Sequence, residues 1–337
     1  MSHRLLMDYG GLIEEIALCN PVGIGGKELV RAHGNLLKAL PQEIAVKLVC
    51  RTEDAAALER WLGRVGRDKV GLVPVTDPMG PDAIWIQDPF VVTRGERGQL
   101  GYVSIVAEHD YDYAGWLAAE DGRSVTRSRL GLTGGNMLVG RDYRLVGADT
   151  IGGKPARHKT FDERPLSVYG YREGFVAPRR GPLSQTPFHL DLALALTGCR
   201  TARGEPIVLL GKPSWSDPAL DRTAERLRED GYRVIRNPLP GRDKRLRYYN
   251  NVLVENAVRP RETAPLVFVP TYGRAGDAAV LAVWQALGFT PRPVPGWNFG
   301  LFPGGALRCA SKVLKRGPAP RRERVISDAM LEGIAAG

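Results

Sequence analysis

The sequence predicts an α/β fold assembled from repeated strand–strand–helix–strand units. Short apolar runs alternate with amphipathic stretches along all 337 residues. The alternation recurs at intervals of about 60 residues. The 40 glycines and 25 prolines are scattered between the runs, marking many turns rather than a collagen-like or disordered tract.

Taken in order, residues 27–40 set Leu29, Val30, Leu36, Leu37 and Leu40 along one helical face. Residues 44–50 (IAVKLVC) read as a buried strand, and 54–65 as a second helix with Asp54 as N-cap. Strands are predicted at 71–75, 83–93, 102–107, 136–140 and 144–148. The second half repeats the theme, with strands at 188–196 and 206–210, a helix at 219–230 and a strand at 232–236. Strands at 248–256 and 266–270, a helix at 277–287 and a turn into Cys309 complete the pattern. No low-complexity linker divides the chain, so residues 1–315 are expected to form a single α/β domain. Residues 316–337 are basic, broken by Pro318 and Pro320, and are expected to be a peripheral tail.

Several function classes are disfavoured at once. No apolar run approaches the roughly 18 residues of a membrane-spanning helix, and Asp8, Glu14 and Glu15 interrupt the first apolar stretch as no signal peptide would allow. The four cysteines are far apart and form no C-x-x-C pair, which fits a reducing cytoplasm and neither a disulfide framework nor a zinc site. The five histidines show no ligand spacing, so no bound metal is expected. The formal charge of +10 raises nucleic-acid binding, with the basic run 242–247 beside Tyr248 and Tyr249 as its best support. No nucleic-acid motif accompanies that run, and a solvated loop is the expectation. The segment GIGGKE fails the phosphate-loop pattern at Pro21 and Glu28. The acidic stretch 108–112 lacks the spacing of a calcium loop.

Four constellations could carry chemistry. His189 and Asp191, two apart on a predicted strand, would project together as an acid/base group beside an anion. Cys309 follows Gly304, Gly305 and Arg308, and a neighbouring cation favours the thiolate. Asp88 ends the aromatic run Trp85-Ile86-Gln87, and Gly134-Gly135-Asn136 opens a strand. Singly, each has a plain structural explanation: a cap, a buried thiol, a turn and a hairpin.

Their order, however, resembles the guanidine-modifying or pentein superfamily, which includes arginine, agmatine and peptidyl-arginine deiminases, dimethylarginine hydrolases and amidinotransferases. The resemblance runs from about residue 84 to 316, and the texture of YYNNVLVEN, PLVFVPTYG and DAAVLAVWQALGF adds to it. It implies an α/β propeller of five ββαβ modules around a pseudo-fivefold axis, and a catalytic domain without metal or organic cofactor. It also implies hydrolytic deimination, with Asp88 and Asp191 binding a guanidinium, Cys309 as nucleophile and His189 as acid and base. Arginine would become citrulline plus ammonia through a covalent thiouronium. Gln87-Asp88, and Thr133 where arginine and agmatine deiminases place an acid, resemble peptidyl-arginine deiminases. An arginine residue in a peptide or protein is therefore the expected substrate. Arg308-Cys309 and Asp88-Pro89-Phe90 look more like free-arginine enzymes, so free arginine or agmatine, or amidine transfer, is the alternative.

Overall fold

An antiparallel strand pair that runs on through a helix into a parallel third strand is the recurring unit of the chain. The computed structural model describes residues 4–20, 22, 26–77, 79–106, 111–131, 133–147, 162, 164–169, 189–213, 218–239, 247–297 and 305–336. Among these, the strands fall into five separate sheets of three or four strands each. Five is the number of modules that the resemblance implies.

The sheet that matters most for the site joins the two ends of the chain. Strand Ile13–Cys19 passes through helix Lys27–Ala39 into the parallel strand Ala45–Arg51, and through helix Ala55–Val65 into Val70–Val75. Its antiparallel partner is Ser311–Arg316, from the other end of the sequence. The first helix buries Leu29, Ala32, Leu36 and Leu37, and the second buries Leu58, Trp61 and Leu62, so each turns an apolar stripe inward. The second helix stops at Gly66, whose φ of 73° is the left-handed turn that glycine adopts freely. Asp54 stands at its N-cap position but makes no capping bond; its carboxylate takes Arg51 Nε at 2.7 Å instead.

A second sheet contains Arg4–Leu5, Phe90–Arg94, Leu100–Val106 and Ser124–Gly131, with helix Tyr113–Asp121 as crossover. A third pairs Met137–Val139, Arg144–Gly147 and Leu166–Tyr169. A fourth pairs Leu194–Thr201, Pro206–Pro213 and Arg233–Leu239 around helix Pro218–Glu229. The fifth has Leu253–Val254, Leu266–Thr271 and Thr290–Pro295 around helix Ala275–Ala286. Every residue of Leu266–Thr271 is buried, as expected of a strand covered on both faces.

Several elements differ from the sequence expectation, each for a local reason. Residues 83–93 are not one strand: Pro81–Ile84 is a 3-10 turn, Asp88 N–H bonds Trp85 O, and the strand begins only at Phe90. Residues 188–196 are likewise interrupted, because Leu190 N–H is captured by Asn136 Oδ1 and winds Leu190–Ala193 into a helical turn. His189 and Asp191 therefore do not share a strand face. Of residues 248–256 only Leu253–Val254 pairs as a strand, since Asn251 N–H folds back onto Tyr248 O. Helix Tyr113–Asp121 shows no clear apolar stripe and was missed, although Asp112 caps it by accepting Gly115 N–H.

The expectation of a peripheral tail at 316–337 is corrected. Arg324–Ile326 adds a parallel strand to Leu194–Thr201, and helix Asp328–Ala336 buries Leu331. The basic composition misled because the one acid within the basic run ties it to the body: buried Glu323 accepts from Tyr9 Oη and Arg200 Nε. The basic run at 242–246 and the acidic residues 108–110 lie outside the described residues. No described helix is long and apolar enough to cross a membrane.

Candidate active site

Cys309 sits in the turn that leads into strand Ser311–Arg316, closed by Ala310 N–H to Ala306 O and Ser311 N–H to Arg308 O. Pairing of that strand with Ile13–Cys19 fixes the turn against the rest of the fold. Gln87 N–H then donates to Cys309 O at 3.2 Å, tying the Trp85–Asp88 turn to it. Gly134 N–H donates to Asp88 O at 3.0 Å, and Gly135 N–H to Asp88 Oδ1 at 2.8 Å. The two glycines are needed for this approach. A Cβ on Gly134 would lie 2.0 Å from Gln87 O, and one on Gly135 would lie 2.6 Å from His189 Nδ1. Asn136 next holds Leu190 N–H and so places His189 and Asp191.

The four expected side chains meet. Cys309 Sγ is 3.5 Å from Asp191 Oδ2 and 3.8 Å from Oδ1. A ring nitrogen of His189, a carboxylate oxygen of Asp191 and Sγ all lie within 4.8 Å of one another. His189 Nδ1 is 3.8 Å from Asp88 Oδ1, and Nε2 is 2.9 Å from Thr133 Oγ1. Leu192, Tyr248 and Trp85 pack round the sulfur, which is 1% exposed at the residue level.

Residues that sequence reasoning left out complete the cluster. Asn251 donates to Cys309 Sγ at 3.2 Å, while its carbonyl oxygen accepts Ala306 N–H at 3.0 Å and Cys309 N–H at 3.1 Å. The double Asn of YYNNVLVEN was the available signal. Arg308 was expected only to favour the thiolate. Its guanidinium donates to Asp191 Oδ2 at 2.7 Å and lies 2.9 Å from Asp8 Oδ1, which leaves Oδ1 as the less engaged oxygen of Asp191. Lys312, three residues past the cysteine, donates to Gln87 O at 3.2 Å. Gly304 and Phe188, the outer members of two motifs, lie outside the described residues.

Burial dominates the electrostatics. It pushes the Cys309 thiol well above its ordinary pKa, reinforced by Asp191 and Asp88 and opposed by Arg308 and the Asn251 bond. Burial also raises Asp191, against the pull of Arg308 and His189. For Arg308, burial opposes the charge, yet Asp8 and Asp191 outweigh it and the guanidinium is held more firmly charged. By donor type, His189, Asp191 and Cys309 could also hold a transition metal, a grouping from distant positions that spacing along the chain could not reveal. Arg308 already occupies Asp191 Oδ2, which leaves only Oδ1 of that carboxylate open to such an ion.

The fold is that of known amidine-modifying enzymes. A C. jejuni agmatine deiminase superposes with a TM-score of 0.69 at 13% identity, over 95% of this chain and 98% of that one. An agmatine deiminase of Enterococcus faecalis gives 0.68 at 15% identity, over 94% and 97%. An amidinotransferase of Microseira wollei, from a saxitoxin biosynthetic pathway, gives 0.55 at 13% identity, over 95% and 99%. No protein-family model and no curated protein sequence matches the chain. This is the fold that the sequence resemblance implied.

Proposed function

We propose that the protein hydrolyses a guanidino group, releasing ammonia and leaving a ureido product, with Cys309 as nucleophile. The observation that carries this reading is the convergence of a thiol, an imidazole and two carboxylates from three distant segments within one buried cluster. A guanidinium is a flat, forked cation, and carboxylates bind it by charge-assisted hydrogen bonds. Asp88 and the Oδ1 edge of Asp191 supply that binding.

The direction of the thiol shift gives the order of events. Without substrate, burial and two carboxylates keep Cys309 protonated. An entering guanidinium neutralises those carboxylates and stabilises the thiolate beside it. The Cys309 proton passes to His189, and a C–S bond forms at the central carbon as its C=N electron pair moves to nitrogen. His189 then protonates the departing nitrogen, the C–N bond breaks and ammonia leaves. A water, deprotonated by His189, adds to the thiouronium carbon. Collapse breaks the C–S bond as the hydroxyl proton is lost to the released ammonia, giving the ureido product, and His189 returns its proton to sulfur.

Agmatine deiminases are prominent among the proteins that share this fold, which supports a small guanidino substrate such as agmatine over the peptidyl arginine favoured by Gln87 and Thr133. The fold of the amidinotransferase supports a second reading, in which an amine replaces water in the second step. The test is a panel of agmatine, free arginine and arginine peptides, each with and without an added amine. Ammonia with a ureido product supports hydrolysis, a new guanidine on the amine supports transfer, and neither from any member overturns the reading.

A further inference from the structure

A second polar region lies behind Arg308, on the side facing Asp8. A cavity of about 50 Å³ is lined there by Asp8, Gln87, Arg308, Lys312 and Arg316, together with apolar side chains such as Val92 and Met137. That space exceeds the roughly 10–15 Å³ a single water needs.

Among the described lining residues, its cations outnumber its acids. Asp8 is the one acid among the described lining residues, and both its oxygens are engaged: Oδ1 by Arg308, and Oδ2 by Val139 N–H at 2.6 Å. Arg308 is satisfied by Asp8 and Asp191. Lys312 and Arg316 are not. Lys312 is 6% exposed and Arg316 3%, and among the described residues neither has a carboxylate within ion-pair distance. Lys312 has the Gln87 carbonyl and the face of Phe90, 5.1 Å from the ring centroid. Arg316 has the carbonyls of Val254 and Asp8, and its Nε is buried without a hydrogen-bond partner. Lys and Arg are almost never buried so fully without a counter-charge, because a desolvated cation loses its hydration. Burial and the nearby Arg308 push Lys312 down to about 7 and Arg316 to about 10, outweighing the upward pull of carboxylates beyond ion-pair distance: Asp8, Asp88 and Asp191 on Lys312, and Asp8 and Glu255 on Arg316.

We propose that this cavity binds a small, singly charged anion of halide size, held between the Lys312 ammonium and the Arg316 guanidinium. The apolar share of the lining suits a small, weakly hydrated ion. The site is separate from the sulfur and rests on the cavity alone, so it stands or falls independently of the proposed reaction.

The test uses bromide. Crystals of the full chain grown in low bromide should show an anomalous peak in the cavity within hydrogen-bond reach of Lys312 Nζ. At constant ionic strength, replacing gluconate by bromide should raise the thermal midpoint in a saturable way. Lys312→Met removes one charge-assisted bond, so half-saturation should move to about 10- to 100-fold higher bromide. Absence of the peak in the parent protein overturns the proposal, as does an identical thermal response in bromide and gluconate. A Lys312→Met protein that responds to bromide as the parent does removes Lys312 from the site and overturns it too. The diffraction result decides the matter even if that variant fails to fold.

Discussion

The amide of Asn251 grips Cys309 from both sides, donating to its sulfur at 3.2 Å while receiving its backbone N–H at 3.1 Å. The same carbonyl oxygen receives Ala306 N–H, so one buried side chain fixes both the shape of the turn and the position of the sulfur. Asn251→Ala should strand two backbone donors and cost about 2–5 kcal/mol of stability. Asn251→Asp should keep both acceptor bonds but lose the donor to sulfur and add a negative charge beside it. Its stability loss should be smaller, and its pH profile should move to higher pH. Chemical denaturation and pH–rate curves of the two variants check this.

Arg308 and Asp191 form a buried pair at 2.7 Å, and breaking it should be severe. Arg308→Met leaves a fully buried carboxylate without its cation and should cost about 3–5 kcal/mol. The sign follows from the environment: burial already raises Asp191, and removing Arg308 takes away its main opposing influence. Asp191 should then take up a proton at higher pH in the folded than in the unfolded state. The variant should lose stability further as pH rises through that raised value. Melting curves across the acid-to-neutral range test the prediction; a flat profile would contradict it.

The thiol of Cys309 is held protonated, first by burial and then by Asp191 and Asp88. The thiolate absorbance assigned to it, as the difference between the parent and Cys309→Ser, should therefore be absent near neutral pH. It should appear only above the range of an ordinary thiol, and a bound guanidinium should bring it to lower pH. Thiolate absorbance at neutral pH in the ligand-free protein would contradict the proposed order of events.

Thr133 Oγ1 lies 2.9 Å from His189 Nε2 and sets the orientation of the imidazole. Thr133→Val should lower kcat by about tenfold, leave KM nearly unchanged and alter stability by no more than about 1 kcal/mol. Thr133→Ser, which keeps the hydroxyl, should restore kcat.

Much of the fold was legible because helix Lys27–Ala39 carries strong apolar periodicity and strands such as Leu266–Thr271 are continuous apolar runs. Where the reading failed, tertiary contacts overrode local pattern. The run LALAL looked like a strand from residue 188, but a side chain 54 positions earlier, Asn136, captured Leu190 N–H and wound the first turn. His189 and Asp191 still converge, through a helical turn rather than through strand alternation. The order of the motifs named Cys309, His189, Asp88 and Asp191. Asn251 escaped, and Arg308 and Thr133 were noticed for other reasons, because their roles here depend on hydrogen bonds to partners tens to more than a hundred residues away. Charge composition was least informative: it made residues 316–337 look peripheral when Glu323, Tyr9 and Arg200 bind that segment to the body.

The central claim, that Cys309 bonds covalently to a guanidino carbon, is tested most directly by intact mass after acid quench during turnover. The predicted result is a transient adduct with the mass of the substrate less ammonia, mapped to Cys309 and absent from Cys309→Ser, whose turnover falls by about a thousandfold or more. Turnover by Cys309→Ser at the parent rate, or an adduct on any other residue, would contradict it.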